Sequence, residues 1–502
     1  MTIESPGFER ALGIFRRAAL EVPAYADFLR RNRVVAESVQ TPRDFASVPP
    51  VTKANYLHHY PLNMLAWRGD MTGAGTWSTS SGSSGKPTYW PRGLLSLEQS
   101  IDLYDKIFRQ SFQSDERSTL AVIGFAMGNW IGGTYTFTAI QHLRALGHKL
   151  SVIAPGIDVA TILENIADLG PYYEQVVLVG YPPFVKDVLD QAPSPVINQD
   201  LRILMAGENI SEAWRDYILK RIGKEGKADH TCLIYGTADA GIMGHETPTT
   251  IAARRLARND PRLNVALFGD DDVQPTFVEY QPNFRFTEMD LDGYLLFTVD
   301  STFPLIRYRI NDCGCVVTAS ELAHILGQCG HELAVKTSTE DAGFIVLGRR
   351  ADIAATFYAL KIFPDSVRVA LEDPEIAETV SGKFHLTTQS DEVYEQTLKL
   401  YVELRADATA EESLAPRLQK LVVASLLRTN SEYRHLHQTL GQRAEPIISL
   451  HRFGTDGFAH GIKHRWTGEP GLSRYPAQRP TGCDRVHRSR WNQAKTNRVR
   501  SL

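Results

Sequence analysis

Five short apolar runs between Ser118 and Thr237 constrain this chain more than any other feature. They are STLAVIGF (Ser118 to Phe125), KLSVIAP (Lys149 to Pro155), QVVLVGY (Gln175 to Tyr181), RILMAGE (Arg202 to Glu208) and CLIYGT (Cys232 to Thr237). Each has the length of a strand. The intervals between them are long enough for crossover helices, which parallel strands need because no hairpin can join them. The fold class is therefore α/β, with a large multi-subdomain N-terminal domain built on a parallel sheet. Several runs carry a glycine near their end, and chemistry in such sheets gathers beyond the carboxyl ends of the strands.

The flanks are of other kinds. From Phe8 to Arg31 the apolar residues recur at helical spacing, interrupted at Val22-Pro23-Ala24-Tyr25 by a turn. Pro49 and Pro50 then break structure, and Thr52 is placed to cap a short helix carrying Lys53 and Tyr56. From Phe277 to Val317 the chain turns to short, turn-rich β segments. Beyond Gly348 the segments SVRVAL, DPEIAETV, KFHLTTQ, KLYVELRA, EESLAPRLQKLVVASLL and EPIISLHRF read as β-α-β-β-α-β, a small α+β domain. The final stretch, Trp466 to Leu502, holds eight Arg or Lys against Glu469 and Asp484 and reads as a basic, disordered tail. This divides the chain into 1–347, 348–465 and 466–502.

A net charge of -4 over 502 residues, with 22% charged and 43% hydrophobic residues, gives no electrostatic case for nucleic acid and makes small-molecule chemistry the default. The N-terminal stretch has early acids and no unbroken apolar run, so neither a secretory signal nor a membrane span is expected, and the expected location is the cytoplasm. The five cysteines are odd in number and thinly spread, which argues against a disulfide framework. Cys313, Cys315 and Cys329 with His331 offer a zinc site by proximity but lack a CxxC pair, so buried free thiols are the better reading. A homodimer is the default oligomer.

One stretch cannot be core. Ser78 to Thr88, STSSGSSGKPT, packs hydroxyls, glycines and a lysine around the single apolar ring of Pro87. Glycine lets backbone amides approach a ligand, and Ser and Thr add donors that wrap phosphate oxygens. The Walker spacing is absent, since Ser80 and Pro87 stand at its required positions. A linker would be polar on both sides, whereas Tyr89 and Trp90 follow at once.

Four further segments follow in order, and with them the chain resembles the adenylate-forming superfamily of acyl-CoA synthetases and adenylation domains, most closely its phenylacetate-CoA ligase-like branch. The resemblance runs from about Val22 to Trp466. It implies that Thr79, Ser80, Ser81, Gly82, Ser83, Ser84, Gly85 and Lys86 bind the phosphates of ATP. Tyr235-Gly236-Thr237-Ala238-Asp239 is similar to the family's Tyr-Gly-x-Thr-Glu motif, which implies that Tyr235 stacks on adenine, Thr237 contacts phosphate and Asp239 binds Mg2+. Ala238 lacks the family's hydroxyl, and Asp239 carries the charge on a shorter arm. Tyr308-Arg309-Ile310-Asn311-Asp312 resembles the segment whose Asp accepts hydrogen bonds from the AMP ribose; without that context Arg307, Arg309 and Asp312 would read as surface ion pairs. Gly207 and Glu208 join the nucleotide set. Gly348-Arg349-Arg350-Ala351-Asp352 resembles the hinge segment, with Arg349 toward nucleotide and Asp352 at the hinge. Lys463, in Gly461-Ile462-Lys463-His464-Arg465, is the best candidate for the family's mobile catalytic lysine, with Lys495 as its rival. The acyl pocket is expected around Phe125, Gly128, Trp130 and Tyr235.

The implied reaction is ATP-dependent activation of an aromatic or other small carboxylic acid, with ATP, Mg2+ and coenzyme A as cofactors. The acceptor thiol is that of coenzyme A or of the phosphopantetheine on an acyl carrier protein. Two rivals stand beside it. A catalytically impaired, nucleotide-binding relative is suggested by Ala238, Asp239 and the off-pattern lysine. An amidase-type serine hydrolase is suggested by Gly82-Ser83-Ser84-Gly85, with Lys53 as the upstream lysine it would need.

Overall fold

The five apolar runs become neighbouring parallel strands. Thr231–Thr237 lies beside Leu201–Ala206, followed by Gln175–Gly180, Thr119–Gly124 and, at the edge, Leu150–Ile153. The computed structural model describes residues 7–80, 88–129, 131–269, 274–350, 355–357, 360–390, 396–455 and 458. Alternation along these strands feeds two cores. Leu120, Val122, Val176, Leu178, Ile203 and Met205 pack on one side, and Ala121, Ile123, Val177, Val179 and Leu204 on the other. Helices Val159–Leu169, Pro182–Asp190 and Glu212–Arg221 bury apolar residues on the first side, Ile131–His142 on the second. The first and third open on side-chain caps from Asp158 and Ser211. Each buried aliphatic side chain stabilises the layers by roughly 1.5–3 kcal/mol.

The parallel half is not the whole sheet. After Thr231–Thr237 the chain turns back as Gly241–His245, and Thr276–Tyr280, Gly343–Arg350, Leu305–Thr318, Tyr294–Val299 and Phe286–Met289 continue with antiparallel pairing. Among the described residues this makes one mixed sheet of eleven strands. Helices Phe8–Glu21 and Pro23–Arg31 pack on its antiparallel half through Phe15, Tyr25 and Phe28. Thr52 caps the short helix Lys53–Leu57, as its sequence suggested.

A buried ion cluster holds the join between the two halves. Glu246 Oε1 accepts from Arg215 at 2.5 Å and Arg254 at 3.0 Å, while its Oε2 accepts from the backbone N–H of Leu233 at 3.0 Å. Arg215 and Arg254 also pair with Glu212. Leu233 stands two residues before Tyr235, so this cluster fixes the strand that carries the site.

The small C-terminal unit holds a three-stranded sheet, with Val380–Ser390 antiparallel and Ile447–His451 parallel to the central Gln396–Leu404. One element departs from expectation. SVRVAL is no strand but part of helix Pro364–Leu371, followed by Pro374–Ala377, and a further helix spans Ser431–Leu440. Pro364 opens the helix at its first turn, and Val367, Ala370 and Leu371 face Leu418, Val422 and Leu426 in one core. A helical face satisfied by packing outweighs the strand preference of two valines. No helix among the described residues is long and apolar enough to cross a membrane.

Candidate active site

The site is built from the turn after strand Thr231–Thr237. Thr237 Oγ1 accepts from the backbone N–H of Ala240 at 2.9 Å, and Gly241 closes the turn with φ of 80°. The register slips between Tyr235 and Gly236, which turns the strand end out of the regular ladder. Tyr235 is buried and donates its hydroxyl to Asp312 Oδ2 at 2.6 Å. The residue proposed to stack on adenine therefore touches the residue proposed to hold ribose, across 77 positions of sequence.

Asp312 reaches this point through an unusual strand. Asn311 has φ of 71° and Arg307 of 48°, both in the left-handed region, and the register shifts between Asp312 and Gly314. Arg307 is not a surface residue. It is buried, paired with Glu288 at 2.7 Å and bonded to the carbonyl of Val48. The backbone N–H of Arg309 donates to Val51 at 3.0 Å, so the whole strand docks on the segment that leads into Lys53.

Asp239 lies on the same turn and is 4% exposed. Its Oδ2 accepts from the Tyr308 hydroxyl at 2.7 Å and pairs with Lys53 Nζ at 3.0 Å. The sequence offered Lys53 only to a hydrolase, as the lysine beside a serine. Its partner is instead the carboxylate of the Tyr-Gly-Thr-Ala-Asp segment, and only folding brings the two together.

The hydroxyl- and glycine-rich stretch is bracketed by a hairpin. Thr76–Ser80 pairs antiparallel with Thr88–Arg92, and the Ser80 to Thr88 pair brackets the loop. The backbone N–H of Thr79 donates to the Asn129 carbonyl at 2.9 Å, which ties the hairpin to the segment beginning at Phe125. Ser81, Gly82, Ser83, Ser84, Gly85 and Lys86 lie outside the described residues, as do Trp130, Asp352 and Lys463. Arg349 sits in strand Gly343–Arg350, whose Arg350 is in register with Asp312.

A second wall comes from Tyr181, which sequence reasoning did not single out. Its ring stands 4.7 Å from that of Phe125, centre to centre, and against Gly207. Gly207 has φ of 92°, and a Cβ there would come within 2.8 Å of the Tyr181 ring. Glycine is required by conformation and by contact alike. Burial pushes the Tyr181 phenol up to about 12, so it stays neutral. The available signal was its place at the end of a buried strand, just before Pro182. Gly128, with φ of 81°, opens the bend between Phe125 and helix Ile131–His142. Glu208 follows Gly207 and acts through space on Tyr181. It lines a cleft of about 530 Å³, counting its open mouth, with Trp214, Arg368 and Glu372.

Magnesium is tested by the donor set. Asp239 offers a single carboxylate already shared by Lys53 and Tyr308, and the described residues contain no group of three metal-ligating side chains. This fits an Mg2+ held mostly by phosphate oxygens with one protein carboxylate, and it does not fit a site made by the protein alone.

No protein-family model and no curated protein matches the chain. Among solved structures it is similar to 2-hydroxyisobutyryl-CoA ligase in the postadenylation state in complex with R3-HIB-AMP. The TM-score is 0.61 at 14% identity, over 98% of this chain and 91% of that one. The same ligase in the thioesterification state, with 2-HIB-AMP and CoA, gives 0.50 at 13% identity, over 97% and 92%. AtGH3.15 acyl acid amido synthetase in complex with 2,4-DB gives 0.53 at 14% identity, over 90% and 87%. The chain thus has the fold of adenylate-forming ligases, small C-terminal domain included.

Proposed function

We propose that this chain activates a carboxylic acid with ATP and passes the acyl group to a thiol, that of coenzyme A or of a carrier protein's phosphopantetheine. The observation that supports it best is the Tyr235–Asp312 hydrogen bond, which joins the adenine and ribose positions in one buried corner beside Asp239. In this reading a carboxylate oxygen of the acid attacks the α-phosphorus, the bond to the bridging oxygen breaks, and pyrophosphate leaves. The thiol sulfur then attacks the acyl carbon, loses its proton, and AMP departs with the bridging oxygen.

Each residue has a part that its geometry allows. Asp312, oriented by Tyr235, accepts from the ribose diol. Lys53 offsets the charge of Asp239, and Asp239 is the group that would hold the magnesium of Mg-ATP. Bound magnesium supplies charge neutralisation on the phosphates. The loop amides and hydroxyls of 79–86 and a lysine from the C-terminal segment, Lys463, stabilise the negative charge that builds on the phosphoryl oxygens. We set the working boundaries at 347 and 465, with the hinge at Asp352. Pyrophosphate release from Mg-ATP, run against a panel of carboxylic acids with and without coenzyme A, tests the reading. Acid-dependent release supports it. Nucleotide binding without release on any acid would favour a relative that has lost turnover, and amide hydrolysis without ATP would favour the hydrolase.

A further inference from the structure

Next to this corner lies a cationic cluster that no step above uses. Arg92, at the end of strand Thr88–Arg92, is 5% exposed, and Arg285, just before strand Phe286–Met289, is 3% exposed. Arg92 Nη2 donates to the carbonyl of Ala238. Arg285 Nε donates to the carbonyl of Ala240 at 2.8 Å, and its Nη1 to Gln99 Oε1 at 2.5 Å and the Phe284 carbonyl at 2.8 Å. All of these acceptors are neutral. Among the described residues no carboxylate stands within ion-pair distance of either guanidinium, and Asp239 acts on Arg92 only through space. Two buried cations that hydrogen-bond only neutral groups, with Asp239 and Asp300 acting on them only through space, carry an electrostatic demand for an anion, because neither has a directly paired counter-charge among the described residues.

The geometry says where that demand is directed. A Cβ placed on Gly241 would come 3.2 Å from Arg285 Nη2 and 4.0 Å from Arg92 Nη1, with no other described atom within 4 Å. Arg92 Nε and Gln99 Nε2 are buried without a hydrogen-bond partner among the described residues. Tyr135 completes the group, its ring centre 5.9 Å from Arg92 Cζ. Tyr135 belongs to helix Ile131–His142, directly after the Phe125 wall, and Ala238 follows Tyr235 by three residues. The cluster therefore borders both the acyl wall and the adenylate corner. It is distant from the phosphates: Arg92 and Thr88 are opposite ends of one strand, about 13 Å apart at roughly 3.3 Å per residue, and Thr88 is the end that meets the loop.

Resting on the adenylating reading above, we propose that Arg92 and Arg285 recognise a second anionic group on the acid, so that the substrate class is a dicarboxylate. Paired guanidinium groups bind a carboxylate by charge-assisted hydrogen bonds and discriminate against the neutral amide of the same shape. The test compares malonate, succinate, glutarate, adipate and phthalate with the monoamide of each, by pyrophosphate release from Mg-ATP and by calorimetric binding. At least one diacid is expected to exceed its monoamide by about tenfold or more in kcat/KM and in affinity. In Arg285→Gln that ratio falls to within about twofold of one, whereas Arg285→Lys keeps part of it. The wild-type ratio needs no variant to fold. Turnover of the monoamides as fast as of the diacids overturns the assignment and leaves adenylation standing. No pyrophosphate from any acid, with a diacid still bound about tenfold tighter than its monoamide, overturns adenylation and keeps the anion site. Absence of any binding preference for a diacid overturns the site.

Discussion

Asp312 and Tyr235 carry the recognition of nucleotide in this account, and their contact sets what a single substitution should do. A buried carboxylate that accepts charged hydrogen bonds contributes about 1.5–3 kcal/mol per bond. Asp312→Ala should therefore weaken ATP binding at least about tenfold in a calorimetric titration, while Tm changes little beyond the loss of the Tyr235 contact. An unchanged ATP affinity would remove Asp312 from the site. At this scale the sequence was legible where a motif is local: Tyr235, Asp239 and Asp312 were named from short segments, and in the fold Tyr235 meets Asp312 while Asp239 meets Tyr308, on the strand that carries Asp312. Lys53 was read only as the lysine of a hydrolase, and Tyr181, Arg92 and Arg285 were not singled out. Their roles arise from contacts across 45 positions or more, and no local spacing records such contacts.

Among elements, the parallel strands were the most legible, because a strand covered on both faces must be apolar throughout. Their observed bounds fall inside the five runs, or within one residue of them. The antiparallel half was harder, since Leu305–Thr318 interrupts its own pattern with Arg307, Arg309, Asn311 and Asp312, of which Arg307 and Asp312 pair with side chains from other strands. SVRVAL failed for the opposite reason. Its alternation suits a strand, but Pro364 and the facing helix Leu414–Thr429 decide otherwise. The strand beneath the site depends on Glu246, whose two oxygens hold two arginines and a backbone N–H. Glu246→Ala strands Arg215 and Arg254 with less counter-charge and should lower stability by about 3–5 kcal/mol in urea unfolding. A loss under about 1 kcal/mol would show that this cluster does not secure the strand.

At the scale of the whole molecule, a second buried ion cluster joins the small unit to the large one. Lys383 pairs with Asp187 and, at 3.4 Å, with Glu403; Lys186 pairs with Asp190 at 2.6 Å and donates to the Val380 carbonyl at 3.0 Å. Arg405 meets Asp190 at 3.2 Å. Nearby, the Ser211 hydroxyl donates to Glu372, and Arg368 donates to the Asn209 carbonyl at 3.0 Å. Burial lifts Glu372 from its usual 4.5 to about 7 and Asp187 from 3.8 to about 6. The folded chain then holds protons that the unfolded chain releases, so these groups make stability fall as pH rises between about 4 and 7. Glu372→Gln keeps the shape and abolishes the ionisation. It should raise stability by about 1–3 kcal/mol at pH 8, with the advantage shrinking toward pH 5. An equal effect at both pH values would mean that Glu372 does not titrate in this range.

Adenylation would form a bond between an oxygen of the acid and the α-phosphorus of ATP. An acid labelled with heavy oxygen in its carboxylate, incubated with Mg-ATP and the acceptor thiol, reports that bond directly by mass spectrometry of the nucleotide product. One heavy oxygen is expected in AMP, transferred from the acid when the thiol displaces it. Unlabelled AMP, or ADP and phosphate in place of AMP and pyrophosphate, would contradict it.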